Sequence, residues 1–249
     1  MTNRLQIVCF LALICMAFSC SRVPKHIISE RKMRVVLHDM LIAEAMVESL
    51  HDSYQTSEER MAVYDAVFAK HQITQAKYDS TLMWYGKNMD LYMGIYKLVQ
   101  RDINAEIAAL GEIKPNPISG DVSNYDSIDI WIFNRSGVFL PERIFNALLF
   151  DISPQRPYSP GSSYVLRLAI WGLPSELKYK PRLHLSAVHA DTIISVNQEL
   201  AADGYYEATV KALADKDVKR IYGYVFLNEA ALAYQRIYLN DIRLMKYKE

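Results

Sequence analysis

Six histidines are the first side chains that could perform chemistry, but their spacing does not match a metal site. They are His26, His38, His51, His71, His184 and His189. A zinc-binding helix usually places two histidines four residues apart, and no pair here has that spacing. His184 and His189 would face opposite sides of one strand, and His189 with Asp191 supplies too few ligands. We therefore predict no metal site and no cofactor.

Nucleophilic catalysis also lacks a local pattern. The chain has no G-x-S-x-G elbow, no phosphate-binding glycine loop and no dinucleotide-binding turn. The segment SPGSS at 159–163 is typical of a turn. Two carboxylates that converge from distant strands could still hydrolyse a glycoside, and the sequence leaves that alternative open. We expect a protein without enzymatic activity.

Aromatic residues offer a site that would bind without reacting. Alternation along the segment RIYGYVFL at 220–227 turns every second side chain outward if the others face a core. A face for a ligand or a protein partner is then predicted from Trp131, Trp171, Tyr222, Tyr224 and Phe226. Such a face suits the apolar sides of sugar rings. The alternative is that a helical domain or a second sheet covers it.

Glu44 lies near the centre of an apolar helical stripe and is a candidate buried carboxylate. A buried carboxylate must be paired or protonated. We expect it to accept hydrogen bonds from tyrosine or tryptophan side chains, with a cation of a partner as the alternative. His38 and Asp39 precede it on the side expected to face solvent.

A short apolar run at 7–18 precedes Cys20, whereas a membrane-spanning helix needs about 20 residues. The residues Ala17-Phe18-Ser19-Cys20 resemble a bacterial lipobox. This resemblance implies a signal peptide at 1–19, acylation of Cys20 by palmitate-type chains, and a lipidated tether at 20–28. An ordinary cleaved signal peptide or an uncleaved short anchor are the alternatives. Because Cys9 and Cys15 lie in the leader, no cysteine pair would remain for a disulfide.

Two periodicities indicate the elements that position these residues. Residues 29–112 show helical spacing, with Thr56 and Glu59 as a capping box and Thr74 as a further cap. The proline-containing segment 113–127 is predicted to be a linker. Residues 128–249 alternate with period two in eight segments. We predict an α+β protein, in which a small helical bundle precedes an antiparallel β-sandwich of jelly-roll or galactose-binding-like type.

The helical half resembles a family of Bacteroidota envelope lipoproteins whose N-terminal domain is known as domain of unknown function 4296. The likeness rests on Val23-Pro24, LHDMLIAEA at 37–45, VFAKHQIT at 67–74, YDSTLMWYGKN at 78–88 and IYKLV at 95–99. It implies an envelope location and a non-enzymatic role. Acidic residues after the lipid cysteine send some of these lipoproteins to the cell exterior, and 21–25 contains none. We therefore expect an outer-membrane protein that faces the periplasm.

Three triplets resemble the O-glycosylation signal of Bacteroidota envelope proteins. The triplets are Asp79-Ser80-Thr81, Asp126-Ser127-Ile128 and Asp191-Thr192-Ile193. The hydroxyl residue after each aspartate is a candidate modification site, which gives Ser80, Ser127 and Thr192. A glycan would fit best at Ser127, in the predicted linker.

The charge balance and the predicted envelope location limit the classes of partner that the chain could bind. With 28 basic and 28 acidic residues, the chain offers no basic excess for nucleic acid. We predict a lipid-anchored interaction or scaffold module that contacts an envelope protein, in an outer-membrane assembly or export machine. The alternative is a carbohydrate-binding lipoprotein that uses sandwich aromatics, and a hydrolase with an unrecognised site is a third hypothesis.

Overall fold

A computed structural model describes residues 23–49, 54, 56–110, 127–141, 143, 145–227 and 236–248, apart from the side chain of Glu48. Cys20 with the predicted signal peptide, and the predicted linker up to residue 126, lie outside the described residues. Among the described helices, none has the length and apolar character that crossing a bilayer would require.

The described residues form four helices followed by nine strands, which confirms the predicted fold class. The helices are α1 (Glu30–Ser49), α2 (Ser57–Lys70), α3 (Gln75–Gly86) and α4 (Met89–Ala109). The strands are β1 (Ser127–Asp129), β2 (Gly137–Phe139), β3 (Asn146–Ile152), β4 (Ser163–Trp171), β5 (Arg182–Val188), β6 (Ile193–Glu199), β7 (Gly204–Lys211), β8 (Arg220–Leu227) and β9 (Ile237–Tyr247).

The chain separates into two compact units, Met1–Thr81 and Leu82–Glu249. The division falls within α3. Its physical reason lies in the second unit, where α4 packs aromatic side chains on the strand region. The rings of Tyr92 and Phe145 lie 4.9 Å apart.

In the first unit, helix α1 buries one apolar stripe, as its spacing predicts. The buried members are Met33, Val36, Leu37, Met40, Ala43 and Val47. Helix α2 begins at a complete capping box, in which the Thr56 hydroxyl accepts from the Glu59 amide and the Glu59 carboxylate accepts from the Thr56 amide. The Phe68 and Tyr78 rings lie 5.4 Å apart and join α2 to α3.

In the second unit, two antiparallel sheets form a sandwich. Sheet A has the order β1-β9-β4-β7, with β2 also paired to β9, and sheet B has the order β3-β8-β5-β6. Alternate residues of each strand point into one apolar core between the sheets, which includes Leu166, Leu168, Leu185 and Val225. The other residues form the outer faces, where candidate sites lie.

Strand β2 is the main departure from the predicted strands. Its residues Gly137–Phe139 pair with Leu239–Ile237 of β9 and form a ninth strand, whereas the sequence predicts eight. Three residues are too few to show a period of two, so pairing with β9 decides this strand. Leu110, which follows α4, is 83% exposed and does not belong to the buried stripe of that helix.

Candidate ligand-binding faces of the sandwich

The structure separates the five aromatic residues that were predicted to share one face. Trp131 belongs to the core, where it is 4% exposed and packs edge-on against Phe150 at 5.0 Å. Its indole nitrogen donates to the carbonyl of Asn134 over 3.1 Å. Trp131 therefore cannot line an outer face, because its side chain fills the space between the sheets.

Tyr222, Tyr224 and Phe226 do point away from the core, on the outer face of sheet B, but this face is largely covered. Tyr222 and Phe226 are buried, and Tyr224 is half-buried. Phe145 covers Phe226, since their rings lie 5.3 Å apart, and Tyr92 of α4 in turn packs on Phe145. These three residues therefore form no continuous exposed platform, and only Tyr224 remains partly accessible.

A hydrogen-bonded line of polar side chains crosses the same face. His184 Nδ1 donates to Asn197 Oδ1 over 2.8 Å, and the Ser186 hydroxyl lies 2.6 Å from His184 Nε2 and 2.7 Å from the Ser195 hydroxyl. The imidazole stacks on the Tyr224 ring at 4.8 Å and 16°. A serine, a histidine and an amide in this order resemble a nucleophile with its base and orienting group.

Local geometry favours a structural role for this line. Ser186 is fully buried, and the strand that carries it pairs on both sides, with β6 and β8. Its amide groups are used in those ladders, so they cannot stabilise an oxyanion beside Ser186. The line satisfies buried polar groups and fixes the Tyr224 ring.

Asp151 and Arg220 form an ion pair on the same face. Arg220 Nε lies 2.9 Å from both carboxylate oxygens of Asp151, and its terminal nitrogen lies 2.5 Å from Oδ2. The Asp151 side chain is only 2% exposed. The guanidinium also lies 4.4 Å from the centre of the Tyr222 ring. Both Tyr222 and Arg220 are therefore held by structural contacts.

Three exposed aromatic side chains of the sandwich lie instead on the outer face of sheet A. Trp171, Tyr205 and Tyr238, here called the aromatic strip, are 41%, 77% and 44% exposed. Tyr238 lies directly opposite Trp171 across β9 and β4, and Tyr205 lies opposite Ala169, two residues along β4. The three side chains share one face because strand neighbours in register project to the same side.

Contacts at the end of β4 hold the strip in place. Gly172, which follows Trp171, has φ +92°, and a Cβ there would lie 2.3 Å from the carbonyl oxygen of Arg236. Only glycine fits this turn without displacing the start of β9. The Leu173 amide donates to Asp203 Oδ1 over 2.8 Å, which ties the exit of β4 to the entry of β7.

Exposed hydrogen-bonding groups lie beside the strip. Asn240 lies opposite Ala169, and the next row along the strands is Arg243, Arg167 and Glu207. Arg167 Nε donates to Glu207 over 2.7 Å, and both groups remain about half exposed. The outer face of sheet A thus changes from aromatic to polar within about 13 Å along β4, at the usual strand rise.

Sequence reasoning found Trp171 and missed Tyr205 and Tyr238. Both missing residues carry a signal in the alternation of their strands. Ala208 and Val210 face the core in β7, which turns Tyr205 outward, and Ile237 and Leu239 do the same for Tyr238 in β9.

In the first unit, Glu44 is exposed, so its predicted burial is wrong. A long side chain at the edge of an apolar stripe can keep its carboxylate in water, which avoids the cost of desolvation. Its charge still acts on the buried hydroxyl of Tyr78. Burial chiefly, and then the charges of Glu44 and Asp79, raise the pKa of Tyr78 far above its ordinary value.

The predicted solvated position of Asp39 is also wrong. His71 Nε2 and Lys70 Nζ each donate to Asp39 Oδ2 over 2.6 Å, and His38 Nδ1 lies 3.3 Å from Oδ1. Burial alone would raise the pKa of Asp39, but hydrogen bonds from Lys70, His71 and His38 outweigh it and lower the pKa to about 2. Lys70 is the last residue of α2 and His71 follows it, 31 and 32 residues after Asp39, so local spacing could not indicate these contacts.

The three candidate O-glycosylation residues are exposed or half-buried. Ser80 is exposed on α3 and donates to the carbonyl of Ala76, Ser127 is exposed at the start of β1, and Thr192 is half-buried in the β5–β6 turn. Over the described ranges, no group of three histidine, cysteine or acidic side chains could hold a metal ion.

Comparison with protein families finds a match to a domain of unknown function in each half of the chain. Residues 24–109 match "Domain of unknown function (DUF4296)", which confirms the likeness of the helical half to that domain. Residues 128–248 match "Domain of unknown function (DUF8480)". No curated protein matches the chain.

Among solved structures, similar ones include three carbohydrate-binding modules. The "Family 16 Carbohydrate Binding Module-2" is 11% identical, with a TM-score of 0.28, over 39% of this chain and 74% of that one. The "xylan-binding module CBM15" is 10% identical, with a TM-score of 0.30, over 49% and 97%. TmCBM61, solved with beta-1,4-galactotriose, is 14% identical, with a TM-score of 0.28, over 55% and 97%.

Proposed function

We propose that this chain is a non-enzymatic cell-envelope module that binds carbohydrate through the aromatic strip of sheet A. One observation carries the proposal: Trp171, Tyr205 and Tyr238 lie exposed and in register, beside a row of exposed polar side chains. The envelope location rests on the sequence around Cys20, whose acylation would anchor the chain in the outer membrane, facing the periplasm.

The chemistry of this face fits a sugar ring better than a purely apolar ligand. The C–H groups on the flat side of a pyranose are apolar, and they suit the electron-rich face of an aromatic ring. Its hydroxyl groups both donate and accept hydrogen bonds, which matches the amide of Asn240 and the charges of Arg167 and Glu207. Aromatic contact with a few polar groups is the usual composition of a ligand site.

Affinity electrophoresis through gels that contain neutral polysaccharides tests the proposal. We expect the wild-type chain to be retarded by at least one neutral glycan, and Trp171→Ala to abolish the retardation. Met83→Ala is the control, because Met83 is an exposed apolar residue of α3 that does not belong to the strip. If no neutral glycan retards the chain, or if Trp171→Ala migrates like the wild type, the proposal is wrong.

A second candidate function is a protein-interaction module for an outer-membrane assembly. The observation that favours it is an exposed apolar stripe on α1, where Val35, Ile42 and Met46 are 49%, 45% and 39% exposed at helical spacing. Purification in mild detergent from the native envelope, with Ile42→Lys as the variant, tests it. A stoichiometric partner that is lost in Ile42→Lys would support this function, and a partner retained equally by both would exclude the stripe.

A further inference from the structure

A cleft of about 740 Å³ opens in the second unit, away from the aromatic strip. One wall is the segment 86–91 that joins α3 to α4, and the other is the segment 178–180 that leads into β5. Its floor consists of Arg182, Glu199, Tyr224 and Phe226, which come from the outer face of sheet B. We call it the cationic cleft, because basic residues outnumber acidic ones in its lining.

Strand register sets the order of the groups on the floor. Arg182 of β5 lies directly between Glu199 of β6 and Phe226 of β8. The next row places His184 between Asn197 and Tyr224. Since opposed side chains in a sheet begin about 5 Å apart, Arg182 is the direct neighbour of Phe226 and a diagonal neighbour of Tyr224.

The Tyr224 ring is fixed before any ligand arrives. One side of it stacks on His184, whose two nitrogens are both engaged, by Asn197 and Ser186. Burial, followed by the charges of Asp90 and Tyr222, raises the pKa of Tyr224 to about 12, although Arg182 opposes this rise. Its hydroxyl therefore stays protonated at neutral pH and can donate a hydrogen bond.

Cations outnumber acids among the lining residues. The lining includes Lys87, Lys178, Lys180 and Arg182 against Asp90 and Glu199, a surplus of two positive charges in a chain whose net charge is zero. Lys180 holds the wall through the carbonyls of Pro174 and Ser175. Lys87 and Arg182 are exposed and form no ion pair within the part of the chain that the structure describes.

We propose that the cationic cleft binds a saccharide unit that carries a carboxylate, of the hexuronate class. Arg182 and Lys87 would hold the carboxylate, since a guanidinium matches its two oxygens. The Tyr224 ring would contact the sugar ring, and the carboxylates of Asp90 and Glu199 would accept from its hydroxyl groups. Inorganic phosphate has no ring for Tyr224 to contact, so it should bind more weakly than the acidic sugar. This site is independent of the strip in sheet A.

Isothermal titration calorimetry of the full chain tests the cleft with three probes: a trigalacturonate, the matching neutral trigalactoside and inorganic phosphate. We expect the trigalacturonate to bind about tenfold or more tightly than the neutral trimer, and more weakly as salt is added. Equal affinity for the acidic and neutral trimers, or displacement of the trigalacturonate by phosphate at equal concentration, would overturn the proposal.

Variants separate this cleft from the aromatic strip. We expect Arg182→Gln and Lys87→Gln each to weaken trigalacturonate binding about tenfold or more, while Lys219→Gln, an exposed lysine outside the cleft, leaves it unchanged. Trp171→Ala should also leave it unchanged. If Trp171→Ala abolishes trigalacturonate binding and Arg182→Gln does not, the cleft proposal fails while the strip proposal stands.

Discussion

The indole ring of Trp171 meets the phenol ring of Tyr205 edge to face, with ring centres 5.9 Å apart and planes at 90°. The two residues come from neighbouring strands, and Tyr205 lies opposite Ala169, two residues from Trp171 along β4. Each ring therefore restricts the other, and Trp171 is held in one orientation although it is partly exposed. A binding face that is already ordered loses less side-chain entropy when a ligand arrives.

This ring pair predicts coupled effects on neutral-glycan binding. We expect Trp171→Ala to have the largest effect, and Tyr205→Ala to weaken binding by less. The double variant should lose less than the sum of the two, with a coupling of about 0.5–1.5 kcal/mol. Calorimetric titration of the four proteins measures that coupling. Strictly additive losses would mean that the rings contact the ligand independently.

Gly223 is predicted to be essential for stability. A Cβ on it would lie 2.3 Å from the His184 carbonyl oxygen and 2.6 Å from Phe150 Cζ, so Phe150 fills the space above it. We expect Gly223→Ala to destabilise the protein by about 1–3 kcal/mol or more. Gly94→Ala is the control, because nothing lies within 4 Å of a Cβ there, and it should stabilise α4 by about 0.5–1 kcal/mol. Urea unfolding followed by fluorescence measures both, and similar midpoints for the two variants would contradict this account.

The local parts of the fold could be predicted from the sequence. Strand β8 occupies the segment at 220–227 that alternation indicates, and the capping box at Thr56 begins α2. These features depend on periodicity and on neighbours within four residues, both of which can be read along the chain.

The candidate sites could be predicted only in part, because alternation gives the direction of a side chain and not what covers it. Tyr222 and Phe226 point outward as expected, yet Phe145 covers Phe226 from a position 81 residues earlier in the chain. Gly86 allows this arrangement, since a Cβ on it would lie 2.5 Å from Phe226 Cζ. The cationic cleft likewise combines segments that are distant in sequence, so local spacing could not indicate it.

The ion pair of Asp151 and Arg220 is predicted to be costly to break. Asp151→Ala leaves the guanidinium without its carboxylate on a largely covered face, and we expect a loss of about 3–5 kcal/mol in the free energy of unfolding. Glu207→Ala breaks the exposed pair with Arg167 and should cost about 0–1 kcal/mol. Chemical denaturation of both variants measures the difference, and equal losses would show that burial does not distinguish the pairs.

The ion pairs and hydrogen bonds of Asp39 in the first unit are predicted to weaken in acid. Its pKa is lowered from 3.8 to about 2 in the folded chain, so the contribution of its carboxylate is complete above pH 3.8 and is lost as the pH falls towards 2. Asp39→Asn should therefore differ most from the wild type above pH 4 and converge with it near pH 2. Unfolding monitored by circular dichroism across this range measures the difference. Asp65→Asn, an exposed control on α2, should show no such convergence.

Acylation of Cys20 is the prediction on which the envelope location depends. A single acyl chain binds membranes only marginally, whereas two or three make the attachment stable, so an acylated chain should partition with the membrane fraction. Mass spectrometry of the protein purified from its native envelope should show an N-terminal Cys20 that carries diacylglycerol and a further acyl chain. Cys20→Ala should move the protein to the soluble fraction or leave it unprocessed. An unmodified Cys20 in the mature protein would remove the basis for a periplasm-facing lipoprotein, while leaving both proposed binding sites open to the same titrations.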